Sequence, residues 1–210
     1  SLNIIMLITI PSTAGIIILA NPIVKIAFER GAFDSTATYM TVGALIFYAI
    51  GITATSMKTM LNRVYYSLQD TKTPMINSFF TLCANFILNL IFIRFMAHKG
   101  LAFATSIAST ITLLHLIYGL RKRIGSFGFM KSVKCGLKSL AASAVMGIVV
   151  YFLYGALASS MGSGTVSELI ALLASVGVGV GVYAVLIYLF KIEEVDWAIG
   201  LVKNRLKKEK

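Results

Sequence analysis

Apolar residues gather into six blocks along this chain, over roughly 2–28, 37–62, 75–96, 100–120, 137–158 and 168–190, with short polar stretches between them. A block of about 20 apolar residues is the length a helix needs to cross a hydrocarbon core about 30 Å thick. Within each block the apolar positions run around the whole helical circumference instead of marking one face, as in a helix surrounded by lipid or other helices. The expected fold class is therefore an all-α integral membrane protein with six transmembrane helices. The first block opens almost at residue 1, without an initiating Met or a basic segment ahead of a short apolar core, so it does not read as a signal peptide. The numbering is expected to begin inside a longer protein.

Punctuation within the blocks refines this picture. Pro11 and Pro22 interrupt the first block, and carbonyls freed by proline in a membrane need partners from neighbouring helices or water. That span is expected to be broken or kinked and to face protein. Thr73 before Pro74 reads as a capping hydroxyl followed by proline at the first helical position, opening the third span. Asp34, Ser35 and Thr36 offer the same chemistry ahead of the second.

Composition supports the membrane reading: 58% of the residues are hydrophobic and 13% charged, with a mean hydropathy of +0.86, whereas soluble domains carry about 25% charged residues. The net charge of +11 could suggest nucleic acid, but no basic face with an aromatic platform accompanies it. The cations instead mark topology. Lys25, Arg30, Arg94 and Lys99 fall on alternate connections, and the other fifteen of the 19 basic residues fall on the second and fourth connections and the tail. The positive-inside rule assigns that richer face, with the C-terminus, to the cytoplasm. Two segments read as interfacial helices. Between Gly125 and Leu140, Lys131, Lys134 and Lys138 recur at helical spacing beside Phe129, Val133 and Leu137; in the tail, Ile192, Val195, Ile199, Val202 and Leu206 repeat beside Trp197. Cys83, in an apolar block, and Cys135, in a basic loop, form no pair by spacing, and His98 and His115 are isolated. No disulfide framework or zinc-type site is expected.

Gly177, Gly179 and Gly181 imitate a dinucleotide loop, but no strand precedes them. Gly177 and Gly181 are read as small residues that let helices approach. No nucleophile elbow, P-loop or zinc motif is present, so enzyme chemistry has no support in the sequence. Polar residues inside the spans say more. Asn85 and Asn89 lie four apart, on one face of the third span, and Thr105, Ser106, Ser109, Thr110 and Thr112 enrich the fourth. Carboxamide and hydroxyl oxygens suit a hard cation such as sodium, and they equally suit hydrogen bonds between helices. No acidic residue lies mid-span, so a cation site here needs a carboxylate from elsewhere.

Several stretches resemble one family. They are P-S-T-A-G at 11–15, N-P-I-V-K-I-A-F-E-R-G-A-F at 21–33, Y-Y-S-L-Q-D-T-K-T-P at 65–74, N-F-I-L-N at 85–89 and K-G-L-A-F-A-T-S at 99–106. The run at 65–74 is the most specific. Together they resemble the MurJ (MviN-like) lipid II flippases of bacterial peptidoglycan synthesis, within the multidrug/oligosaccharidyl-lipid/polysaccharide exporter superfamily. The resemblance implies the C-terminal part, helices nine to fourteen, of a fourteen-helix two-lobe transporter. It divides the chain into lobe helices at 1–120, a basic cytoplasmic loop at 121–136, two further spans at 137–190 beside a groove for the lipid tail, and a basic cytoplasmic tail at 191–210. It implies flipping of an undecaprenyl-linked precursor across the bacterial cytoplasmic membrane by alternating access. The partners are membrane lipids and the remaining N-terminal lobe, with no organic cofactor. It also implies a sodium site using Asn85, Asn89, the Leu101 carbonyl and Thr105. Asn89 stands where some members carry aspartate. The rival readings are another exporter of the superfamily, for a different polyprenyl-linked oligosaccharide or a cationic drug, then a membrane-embedded enzyme or a scaffold.

Overall fold

The computed structural model describes residues 2–29, 33–125, 129–160 and 164–190, and the elements among them are helices. They run α1 (Leu2–Ile18), α2 (Ala20–Phe28), α3 (Ser35–Ser67), α4 (Lys72–Ile124), α5 (Phe129–Ser160) and α6 (Thr165–Leu189). Six elements match the six apolar blocks only after one splitting and one joining. At 53 residues, α4 would be about 80 Å long if straight, more than twice a hydrocarbon core. It bends back at Ala97, whose φ of 48° and ψ of −134° are non-helical, and so provides the third and fourth spans. Gly100 makes that turn possible, because a Cβ there would lie 2.5 Å from the Phe92 carbonyl oxygen. Conversely, α1 and α2 form one broken span bent by 69°. The break follows from Pro22, which has no N–H for Ile18, four residues earlier, and whose ring crowds that carbonyl. α1 ends at Ile18.

The residues group into two compact units. One holds Ile16–Phe129, and its core is the α3–α4 hairpin. Ala54, Leu61 and Tyr65 of α3 pack with Leu113, Leu116 and Leu120 of α4, each set recurring at helical spacing. The Tyr65 hydroxyl is buried and donates to the Leu116 carbonyl at 2.9 Å. Asp34 caps α3 as expected, accepting from the Ala37 N–H at 2.8 Å.

The conspicuous 65–74 run is the turn of this hairpin. Gln69 takes a left-handed conformation, φ 59°, so that its N–H reaches the Tyr66 carbonyl and the Asp70 N–H reaches that of Tyr65. This is a Schellman closure of α3. The next helix is opened by Asp70, not by Thr73 as the spacing suggested. α4 begins one residue earlier, at Lys72, and the Asp70 carboxylate accepts from both the Thr73 N–H (3.0 Å) and its hydroxyl (2.6 Å). An ionised carboxylate there outcompetes a hydroxyl because it meets the positive end of the helix dipole. Arg123 holds the same carboxylate at 2.7 Å.

The second unit joins Asn3–Gly15 of α1 to α5 and α6. Pro11 does not break α1; it leaves the Leu7 carbonyl, four residues earlier, without its helical donor. The Tyr183 hydroxyl of α6 donates to that carbonyl at 2.7 Å, and Ser139 of α5 stands 2.7 Å from the same hydroxyl. The freed carbonyl is therefore satisfied by a neighbouring helix. Among the glycines of α6 the contact is at Gly179, where a Cβ would meet Val150 of α5 at 2.6 Å. Gly177 and Gly181 face open space, contrary to expectation, because residues two apart in a helix point some 200° away from each other.

Residues 129–140 are not a separate interfacial helix either. They are the first turns of α5, whose 32 residues extend about 48 Å. Cys135 therefore lies buried in that helix instead of in a loop. The amphipathic tail at 191–206 lies outside the described residues.

Candidate functional site

The residues singled out as candidate ion ligands come together where the two arms of α4 face each other. Asn85 and Asn89 share a face of the incoming arm because they are one turn apart. Leu101 and Thr105 stand in the same relation on the outgoing arm, and the reversal at Ala97 brings the arms alongside. The side chains then link in series. The Asn89 amide donates to the Asn85 carbonyl oxygen at 2.9 Å, the Asn85 amide donates to the Thr105 hydroxyl at 3.0 Å, and Thr105 donates to the Leu101 carbonyl at 3.0 Å. Both functions foreseen for these residues are thus present in one geometry. The chain ties the arms of α4 together, and it gathers four oxygens.

The oxygens are all neutral, the donor type that hard cations prefer. One of them, Asn89 Oδ1, is buried and makes no hydrogen bond. A buried acceptor without a donor costs about 1–3 kcal/mol, so this atom is the one in the chain with most to gain from a cation. The donor set fits sodium in chemistry and proximity, and it lacks negative charge. Among the described residues no cluster of three His, Cys, Asp or Glu is placed to hold a metal. An ion here would be held by Asn85, Asn89, Thr105 and the Leu101 carbonyl, with its charge balanced from outside these residues.

Other hydroxyls of the fourth span are spent locally. Thr110 and Thr112 return to the carbonyls of Ser106 and Ala108, four residues back, at 2.8 Å. Ser106 differs, since it crosses to α3 and donates to the Phe47 carbonyl at 2.5 Å. It gets that close because Gly51 stands opposite, where a Cβ would lie 2.9 Å from the Ser106 Cα. Beside this crossing point α3 and α4 enclose a cleft of about 350 Å³, lined by Tyr48, Gly51, Ile52, Thr55, Ser56, Thr105 and Ser106. The cleft had no signal in the sequence, because its α3 wall is composed of ordinary span residues. A period-four recurrence of Tyr48, Ile52 and Ser56 is the nearest thing to one.

Comparison with known proteins sets these features in a family. A family model described as "Lipid II flippase MurJ" matches residues 1–189. The lipid II flippase MurJ of Thermosipho africanus is 35% identical over 143 residues, which are 68% of this chain and 28% of that protein. A probable lipid II flippase MurJ of Vibrio cholerae is 29% identical, covering 89% of this chain and 36% of its own length. A solved structure of lipid II flippase MurJ in an inward closed conformation superimposes with a TM-score of 0.75 at 30% identity, over 92% of this chain and 38% of that one. The chain thus spans roughly a third of the length of these relatives.

Proposed function

The chain belongs to the lipid II flippase MurJ family, and from that premise we propose that it is the C-terminal part of a fourteen-helix, two-lobe transporter that flips lipid II. The observation that carries this reading is the family match, which runs unbroken from residue 1 to residue 189. The multi-pass helical architecture supports it. In this reading the first four spans are the inner half of one lobe, and rocking against the N-terminal lobe alternates access to a central cavity. The lipid carried is undecaprenyl-linked, and the membrane is the bacterial cytoplasmic one.

α5 and α6 suit a polyprenyl tail, since their outward residues are apolar along most of their length. Leu140, Ile148 and Phe152 of α5 and Leu173, Val180 and Val185 of α6 are all exposed. The basic residues on the second and fourth connections and in the tail place those segments, with the C-terminus, in the cytoplasm. The division of labour follows: 1–120 for the lobe, 137–190 for the tail groove, 121–136 and 191–210 for the basic cytoplasmic face.

Replacement of the cell's own lipid II flippase tests the proposal. The full-length protein should restore growth and outer-face lipid II to depleted cells, while residues 1–210 alone should not, because half of the cavity wall is missing. A full-length protein that reaches the membrane and leaves lipid II inside would overturn the assignment.

The Asn85–Asn89–Leu101–Thr105 cluster is read as part of a sodium site in that full-length protein. Asn89→Asp should strengthen a sodium-specific thermal shift by supplying charge, and Asn85→Leu should abolish it. Were the cluster only a hydrogen-bonded tie, the wild type would show the same shift in sodium, potassium and choline.

A further inference from the structure

We propose that the cleft between α3 and α4 is the hydrated route by which a monovalent alkali cation reaches the polar chain of α4. The inference rests on the sodium reading above and adds the path to it. It starts from Thr105, which belongs to both features. Thr105 accepts from Asn85 within the polar chain, and it forms part of the cleft wall. Whatever fills the cleft therefore lies one residue from the ligand cluster.

The cleft is suited to passage. Its 350 Å³ is many times the roughly 10–15 Å³ that a single water requires. Its wall holds four hydroxyl side chains besides Thr105, namely Tyr48, Thr55, Ser56 and Ser106, and no ionised group. Neutral oxygens exchange with a hydration shell without trapping the ion, and the absence of cations on the wall removes a barrier to its approach. Two of these hydroxyls are unspent. Thr59, Thr81 and Thr110 each return their hydroxyl to the carbonyl four residues earlier. Those of Thr55 and Ser56 make no hydrogen bond among the described residues, which leaves them for water or a passing ion.

Gly51, Ile52, Thr55 and Ser56 also lie at the middle of α3, which runs from Ser35 to Ser67. That is the depth at which transporters gather coupling ions. The route ends at an acceptor that lacks a partner, Asn89 Oδ1.

The experiment uses full-length protein in which Cys83 and Cys135 are replaced by alanine and Ser56 by cysteine. A small, water-soluble, cationic methanethiosulfonate is the probe, because it reacts with a thiolate, and a thiolate forms only where water reaches. Position 56 should be modified, and modification should slow several-fold in sodium relative to choline at equal ionic strength, since an ion on the route occupies it and repels the reagent. Phe86→Cys, on the apolar outside of α4, should show no such sodium dependence. Thr55→Cys gives the same readout should the first variant fail to fold. If neither position reacts while Gln69→Cys in the α3–α4 turn does, the cleft is dry and the route is refuted. If they react equally in both salts while the unmodified protein keeps its sodium-specific thermal shift, the cleft is wet but the ion arrives another way. Loss of that shift in the unmodified protein sinks the sodium site itself, and this inference with it.

Discussion

Replacing Tyr183 with phenylalanine removes one oxygen atom and disturbs two other groups. The Leu7 carbonyl loses the donor that stands in for the missing Pro11 N–H, and Ser139 loses its partner. Side-chain hydrogen bonds between membrane helices average about 0.6 kcal/mol and reach about 1.7. A buried carbonyl left without any donor costs about 1–3 kcal/mol. Because this carbonyl has no second donor within its own helix, the loss should fall near the upper end of the first range, about 2 kcal/mol. Pro11→Ala provides the internal control. It restores an N–H at position 11 that can close the helix onto Leu7, so Tyr183→Phe should then cost only about 1 kcal/mol. A double-mutant cycle on the full-length protein, read by denaturant unfolding in detergent, should give a coupling of about 1 kcal/mol. Equal penalties in the two backgrounds would refute the idea that Tyr183 compensates Pro11.

Three further predictions follow from the packing and the turns. Gly179→Ala should destabilise by about 1–3 kcal/mol, because its Cβ enters Val150, whereas Gly177→Ala should be neutral or stabilising by up to about 1 kcal/mol from helix propensity; thermal midpoints of the two variants settle it. Ala97→Gly should raise stability by about 1 kcal/mol by relieving the positive φ at the α4 reversal, and a lower midpoint would show that Ala97 packs there in a way glycine cannot replace. Asp70 titrates below the usual carboxylate range because the Thr73 hydroxyl and N–H bind its charged form, with Arg123 adding to this. The lowered value means that its stabilisation is present above the unfolded pKa of about 3.9 and is lost as pH falls through the folded one. Wild-type stability should therefore drop more steeply than that of Asp70→Asn between about pH 5 and pH 2, in acid-unfolding curves of the two proteins.

The sequence made the spans legible because their signal is strong and local: long apolar blocks, punctuated by Pro22, Asp34 and the 65–74 run. The candidate ion cluster was legible for a similar reason. Asn85 with Asn89 and Leu101 with Thr105 are pairs one turn apart, and only the reversal at Ala97 had to be inferred to join them. What stayed hidden was rotation and distant pairing. α6 is apolar around its whole girth, so nothing in its pattern chose Gly179 over Gly177 or Gly181 as the contact. Tyr183 meets Leu7 across 176 positions, and a proline announces that its partner carbonyl is free without saying who will take it. The cap at α4 was misread because a hydroxyl next to Pro74 matched the local rule, while a carboxylate three residues before the same N–H had the electrostatic advantage. The α3–α4 cleft arises from the divergence of two helices beside a glycine–serine crossing, a property of the pair that neither strand of sequence carries.

The tight turn between α3 and α4 also constrains how the chain enters a bilayer during synthesis. Only residues 68–71 separate the two helices, and α3 brings Thr55, Ser56, Lys58, Asn62 and Arg63 in its second half. A lysine near the centre of an isolated helix opposes insertion by about 2.5–3.5 kcal/mol, so α3 leaving the translocon alone would partition poorly. The incoming arm of α4 follows within a few residues and is far more apolar, with Phe79, Phe80, Phe86, Ile87 and Ile91 on its outside. The connection is too short for α3 to wait on one side of the membrane while α4 crosses. The two helices must therefore move into lipid as a pair, the second carrying the first, which makes the Gln69–Asp70 turn an early requirement of biogenesis as well as a feature of the finished protein.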